Sequence, residues 1–207
     1  MRLRPAVIVL AAGIGSRFSA STHKLTERLG ASSVLGLTLR HAIASHLPVV
    51  VVTTVALADA ARRHVAARDV VVVPSVGTPG PAPLGIGYSI AAGVSARPDA
   101  SGWLVLPGDM PMVQSATLTA VARALEHHPV AYAQHKGRRG HPVGFGAELY
   151  SELVTLSGDE GARRLVARYP AHGVEVDDPG VLIDVDTEAD LEKLRVMQAA
   201  AAAPVQR

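Results

Sequence analysis

The residues able to do chemistry in this 207-residue chain are glycine loops and single acids placed at the ends of apolar runs. The first loop is Leu10-Ala11-Ala12-Gly13-Ile14-Gly15-Ser16-Arg17-Phe18, with Lys24 shortly downstream. Glycines let backbone N–H groups approach phosphates without a side chain in the way. Arg17 and Lys24 would neutralise phosphate charge. The loop is not a dinucleotide fingerprint: Phe18 stands at the third glycine position, and Thr53-Thr54 replaces the acid expected after the second strand. The glycine-lysine signature of a P-loop is absent too. A plain tight turn is the competing reading of the loop on its own.

A second apolar run delivers one carboxylate, in Leu106-Pro107-Gly108-Asp109-Met110-Pro111. One or two carboxylates, nucleotide phosphates and waters are the usual ligands of Mg²⁺. A helix cap or turn is the competing use of Asp109. Asp184 and Asp186 follow near the end and would share one face of a strand. Asp186 is either a second metal ligand or the N-cap of the last helix, with Thr187 a competitor for the cap. Asp190 falls in that helix's first turn, where negative charge suits the dipole. Gly85-Ile86-Gly87-Tyr88-Ser89 opens a helix and could present N–H groups to a base or phosphate. Arg138-Arg139-Gly140-His141-Pro142 is either a grip for a second anionic substrate or a solvated hairpin tip. Ser157–Arg163 carries a helix-start signature.

These residues need a scaffold. Apolar runs predict strands at 6–11, 49–53, 70–73, 103–106, 130–134, 142–145, 174–176 and 182–185. Helical patterns lie at 34–46, 57–67, 88–96, 117–127, 149–156, 161–169 and 188–203. The unbroken valines of 49–52 imply burial on both faces. Alternating strands and helices predict an α/β fold with a mostly parallel sheet. The segment 130–145 reads as a hairpin. In such sheets ligands sit beyond the carboxyl ends of the strands, so the loops after Ala11, Thr53, Val73 and Leu106 matter most.

Composition narrows the function classes. The length predicts a single domain over 1–207, with a core of about 6–194 and a frayed alanine-rich end. No cysteine is present, which excludes disulfide scaffolds, thiolate zinc sites and cysteine nucleophiles. Net charge is +2 and aromatics are 3%, with no run of five like charges, so nucleic-acid binding is not expected. No stretch approaches the roughly 20 apolar residues of a membrane span. The basic start and short apolar run of residues 1–12 read as a first strand entering a glycine loop, and the expected location is cytoplasmic.

Six pieces in one order resemble the MobA-like nucleotidyltransferases, in the molybdenum cofactor cytidylyltransferase branch. They are the Leu10–Phe18 loop with Lys24, Gly85–Val94, Gly108-Asp109-Met110-Pro111, Arg139–Val143, Gly158–Arg163 and Asp184–Thr187. The resemblance implies a Rossmann-like, glycosyltransferase-A type fold. It implies transfer of CMP from CTP to the terminal phosphate of the molybdopterin cofactor, with Mg²⁺ as cofactor and a molybdenum hydroxylase as client. By the same resemblance Arg17, Lys24 and Asp109 are catalytic, and Asp109 and Asp186 hold the metal. Leu10, Ala11, Ala12, Gly13, Gly15, Ser16, Arg17, Lys24, Thr53, Gly85 and Ser89 contact the nucleotide, and Arg139, Gly140, His141 and Pro142 face the acceptor. GTP in place of CTP, or a sugar phosphate as acceptor, fits the same fold. The chain departs from the family pattern after Phe18, at Gly30-Ala31-Ser32-Ser33 where Gly-x-Pro is usual, over the long Pro- and Gly-rich stretch Ser75–Pro83, and at Glu188, where a proline is usual. These departures motivate a third alternative, a non-catalytic carrier of the cofactor.

Overall fold

A computed structural model describes residues 4–13, 18, 23–75 and 85–202. Strand β1 (Ala6–Ala11) lies at the centre of a seven-stranded sheet. The other early elements are β2 (Arg28–Leu29), β3 (Ser32–Ser33), α1 (Val34–Ala44), β4 (Val49–Thr53), α2 (Val55–Arg62) and β5 (Val70–Val72). Helix α3 (Ile86–Ser95), β6 (Gly102–Pro107), α4 (Ser115–Ala124), β7 (Val130–His135) and β8 (Arg138–Gly146) follow. The chain then runs through α5 (Tyr150–Leu153), α6 (Arg163–Arg168), β9 (Ala171–Glu175) and α7 (Glu188–Ala202). Sheet order is β5-β4-β1-β6-β8-β7-β9. Only β8 runs against its neighbours, because the β7–β8 hairpin inserts it beside β6. The expected mostly parallel α/β architecture is thus present.

The apolar runs are buried because both faces of the sheet are covered. Val7, Val9 and Ala11 face a layer that contains Leu35 and Leu39 of α1, Leu118 and Val121 of α4 and Leu191 and Leu194 of α7. Ala6, Ile8 and Leu10 face Ile90 and Val94 of α3, with Leu153 and Leu165. Period-two alternation sends successive side chains into the two layers, so one unbroken run supplies both.

Three expectations change. Residues 182–185 form no strand: a 3-10 turn covers Pro179–Leu182. Pro179 starts the turn, Asp178 Oδ1 accepts from Gly180 N, and Val185 N donates to Asp109 O rather than to a sheet neighbour. The helix expected over 57–67 ends at Arg62, and Ala67–Asp69 is a separate 3-10 turn. The helix expected over 149–156 is α-helical only over Tyr150–Leu153. The short β2–β3 hairpin was not anticipated, since neither two-residue strand carries a periodic signal.

Asp178 had no sequence signal either, yet it organises this region. It is 2% exposed and accepts from Gln114 N (2.9 Å), Thr117 Oγ1 (2.6 Å) and Gly180 N (3.0 Å). It therefore caps α4 and pins the turn that leads to Asp184 and Asp186. Asp178→Ala should orphan three donors, two of them buried, and cost about 2–4 kcal/mol. Asp178→Asn, which keeps an acceptor, should cost less. Urea titrations of both variants check this, and equal losses would refute the acceptor role.

Candidate active site

The carboxyl ends of β1 and β6 meet beneath the site. Gly108 N donates to Leu10 O, and Thr38 Oγ1 donates to Gly108 O. These bonds hold the turn that carries Asp109, and Asp109 O accepts from Val185 N (2.9 Å). The segment with Asp186 is thereby fastened to the segment with Asp109.

Lys24 opens the 3-10 turn Lys24–Thr26, and the preceding His23 positions that turn. His23 Nδ1 accepts from Leu25 N, so Nε2 carries the proton and donates to Gly13 O at 2.9 Å. One imidazole thus ties the lysine turn to the end of β1. The Lys24 ammonium then reaches both acids, at 2.7 Å from Asp109 Oδ2 and 3.0 Å from Asp186 Oδ1. Burial works to lower the Lys24 pKa, but the two carboxylates outweigh it and the net shift is upward. Lys24 is therefore an ammonium at neutral pH.

Asp186 is available because Thr187 takes the helix cap. Asp190 N donates to Thr187 Oγ1, and Thr187 N and Oγ1 both donate to Asp190 Oδ2. This reciprocal pair is a capping box with Asp in the acidic position. Asp190 does more than complement the dipole, then, and the competition for the cap is resolved in favour of Thr187. Asp184 lies close enough that burial and then the Asp186 charge raise its pKa. Among the described residues, no group of three His, Asp or Glu side chains is arranged to hold a metal ion. Two hard oxygen donors converging on one cation suit Mg²⁺ or Mn²⁺, with the remaining positions left to phosphate and water.

A cavity of about 620 Å³ opens along β8. Arg139, His141, Val143 and Phe145 alternate along β8 and line one wall. Ile86 and Ile90 of α3 and the segment Asp159–Arg163 form the other side. Residues 159–163 of the expected helix start thus form a cavity wall, while the helix itself begins only at Arg163, with Ala162 at its N-cap and no side-chain cap. His141 feels the Asp109 charge, which places it near the Lys24 cluster. Its Nδ1 is sealed from solvent with no hydrogen-bond partner among the described residues. Burial, first, and then Arg139 hold its pKa down despite Asp109.

That shift has a stability consequence. Burial also lowers His41 and His64. The unfolded chain takes up protons near the ordinary histidine value of about 6.5, while these three resist protonation when folded. Stability is therefore full above that value and falls as pH drops below it. Melting temperature should decline from pH 7.5 to 5.5, and His141→Asn should flatten the decline. An identical slope in the variant would remove His141 as a source.

The other expected site residues divide. Gly13 is exposed at the end of β1, whereas Leu10, Ala11 and Ala12 are buried beneath it. Gly15, Ser16 and Arg17 lie outside the described residues. Thr53 is fully buried and donates to Ala11 O, supporting the β1 end rather than facing the site. Gly85 serves close packing: a Cβ there would lie 1.9 Å from the Gly158 carbonyl carbon. Ser89 is 2% exposed, and its Oγ has no partner among the described residues. Gly140 lines the cavity through its backbone, since a Cβ there would lie 2.1 Å from Val181 O, and Pro142 is buried. Arg139 and His141 are the two members of that motif whose side chains alternate onto the cavity face.

The sequence profile of the MobA-like NTP transferase domain matches residues 7–174. The chain belongs to this family. It carries a nucleotidyltransferase domain, as its motifs predicted. The purine catabolism protein PucB of Bacillus subtilis is 32% identical over 116 residues, covering 54% of this chain. The chain spans about half the length of that relative, 56%. The crystal structure of Rv0371c from Mycobacterium tuberculosis is 29% identical with a TM-score of 0.79, covering 95% of this chain and 99% of that one. A manganese complex of Rv0371c is also similar, at 29% identity and TM-score 0.75, covering 93% and 98%. The molybdopterin-guanine dinucleotide biosynthesis protein A of Archaeoglobus fulgidus shares the fold, at 16% identity and TM-score 0.64, covering 94% and 99%. No helix among the described residues is long and apolar enough to cross a membrane.

Proposed function

We propose that this chain transfers a nucleoside monophosphate from an NTP to a phosphorylated acceptor, with CTP as donor and the molybdopterin cofactor as acceptor. One observation carries the reading: a single ammonium, Lys24, lies within hydrogen-bond distance of Asp109 and Asp186 at the carboxyl end of the central strands. Such a cluster suits phosphoryl-type chemistry, which asks for in-line positioning and charge neutralisation more than for a nucleophilic side chain. An acceptor phosphate oxygen attacks the α-phosphorus, the bond to the β-phosphate oxygen breaks, and pyrophosphate leaves. The acceptor phosphate is already ionised, so no general base is needed. Lys24 stabilises charge at the α-phosphate once it leaves its carboxylate partners. Asp109 and Asp186 would hold a divalent cation, Mg²⁺ first, which supplies charge neutralisation across the phosphates when bound. The manganese found with Rv0371c supports a divalent site of this kind. The 620 Å³ cavity, lined by Arg139 and by His141, which feels the Asp109 charge, takes the acceptor.

Pyrophosphate release with Mg²⁺, molybdenum cofactor and each of CTP, GTP, ATP and UTP in turn tests this. Release with CTP alone supports the full reading. Release with GTP alone replaces the donor and keeps the mechanism. Cofactor binding without release from any nucleotide would overturn catalysis in favour of a carrier. A carrier has no use for the Lys24–Asp109–Asp186 cluster.

A further inference from the structure

Two described cations of this region, Lys24 and Arg139, have opposite surroundings, and Arg163 lines the cavity as well. Lys24 is matched by two carboxylates. Arg139 has no ion pair or hydrogen bond among the described residues, and its guanidinium carbon lies 4.5 Å from the ring centroid of Tyr132. The strand register brings this about. Tyr132 pairs with Val143, so an unbroken ladder would set Arg139 opposite Lys136. The irregularity between Tyr132 and Gln134 shifts Arg139 opposite Gln134 instead. Gln134 and Tyr132 point to the same face, so Arg139 becomes a diagonal neighbour of the ring. Bulges re-aim side chains in this way beside functional sites.

We propose that Tyr132 is a positioning residue that holds Arg139 as the anion receptor of the cavity. The proposal rests on the acceptor reading of that cavity. A carboxylate partner would hold the guanidinium equally well but would neutralise it and occupy its N–H fork. An aromatic face fixes the plane and leaves both the charge and the fork free for a bidentate contact. Val143 and Phe145 on the same strand face and Ile86 and Ile90 across from it give the cavity an apolar part, while Asp159, Glu160 and Arg163 line it with charge. The ligand class that fits is an apolar body bearing a phosphate or carboxylate, with the anion at Arg139.

The test compares wild type, Tyr132→Phe and Tyr132→Leu, each confirmed as folded by thermal melt. Phenylglyoxal labelling of the native proteins, read by peptide mass spectrometry, follows Arg139 with Arg138 as internal reference. Arg139 should label several-fold faster in Tyr132→Leu and unchanged in Tyr132→Phe. Inorganic phosphate is the anion probe: the concentration that half-protects Arg139 should rise roughly 3–30-fold in Tyr132→Leu only. Unchanged labelling and protection in Tyr132→Leu would overturn the proposal. So would Tyr132→Phe behaving like Tyr132→Leu, because the hydroxyl and not the ring face would then be responsible. With catalysis established, the acceptor KM should rise by a similar factor at unchanged kcat. A rise in the CTP KM instead, with labelling as expected, would leave the Tyr132–Arg139 coupling standing and move the acceptor elsewhere.

Discussion

Asp109→Asn should lower pyrophosphate release by about 10²–10³-fold while the melting temperature stays close to wild type. The size follows from the several kcal/mol that a bound cation contributes to the transition state, at about 1.4 kcal/mol per tenfold in rate. The fold should tolerate the change, because Asn keeps the volume and the turn is held by the backbone. Gly108 N to Leu10 O and Val185 N to Asp109 O do not involve the side chain. The substitution removes one of the two negative charges that converge on Lys24 and leaves Asp186 in place. Near-normal turnover in a folded Asp109→Asn protein would sink the metal role and with it the proposed mechanism. A melting temperature lower by ten degrees or more would show that the carboxylate is structural.

Lys24→Met should also cost about 10²–10³-fold in turnover, the loss typical of one preorganised donor aimed at developing charge. It carries a second signature that Asp109→Asn does not. In the free protein the Lys24 ammonium is the counter-ion of Asp109 and Asp186, at 2.7 and 3.0 Å. Removing it leaves two carboxylates facing each other across a small gap without compensation. The nucleotide-free variant should bind Mn²⁺ about tenfold more tightly than wild type, since only about 1.4 kcal/mol of charge interaction is needed for that factor. Electron paramagnetic titration of free Mn²⁺ reads this directly. Turnover and metal affinity thus move in opposite directions, which a merely misfolded variant cannot do. Equal Mn²⁺ affinity in the two proteins would mean that the acids do not form a cation site.

The departures after Phe18, at Gly30 and at Glu188 sit close to this cluster without dismantling it. The segment after Phe18 lacks the usual glycine, yet Lys24 reaches Asp109 and Asp186 because His23 anchors its turn to Gly13 O. The proline absent at Glu188 is not needed to begin α7, since Thr187 and Asp190 cap it reciprocally. The hairpin after Lys24 is braced by Arg195 of α7, whose Nε and Nη2 both donate to Arg28 O. The helix that begins beside Asp186 therefore also clasps the segment that presents Lys24.

Much of this was legible in the sequence, for a physical reason. A strand buried on both faces must be apolar throughout, so β1, β4 and β6 announce themselves as unbroken runs. A carboxylate at the end of such a run caps a helix or turn as readily as it holds a metal, so Asp109 stood out through the order of motifs around it. Glycine loops, the β7–β8 hairpin and the order of motifs were local patterns of the same kind, and they were sufficient for the family. Other features depended on partners distant in sequence, and no local pattern encodes those. Residues 182–185 look like a strand, but Val185 N finds Asp109 O, 76 residues earlier, rather than a sheet edge. Asp178 looks like one more surface acid until Gln114 and Thr117 close over it. Thr53 and Gly85 sit in suggestive loops, yet their side-chain positions are taken up by Ala11 O and by the Gly158 backbone. Tyr132 carries no motif, and only the slipped register sets it beneath Arg139. Sequence alone determined the fold class, the family and the residue types available for phosphate chemistry, because burial and periodicity are written along the chain. Tertiary structure alone decided which acids share one ammonium and which aromatic ring lies beside Arg139. Those outcomes are contacts between elements distant in sequence, fixed by register and packing rather than by spacing.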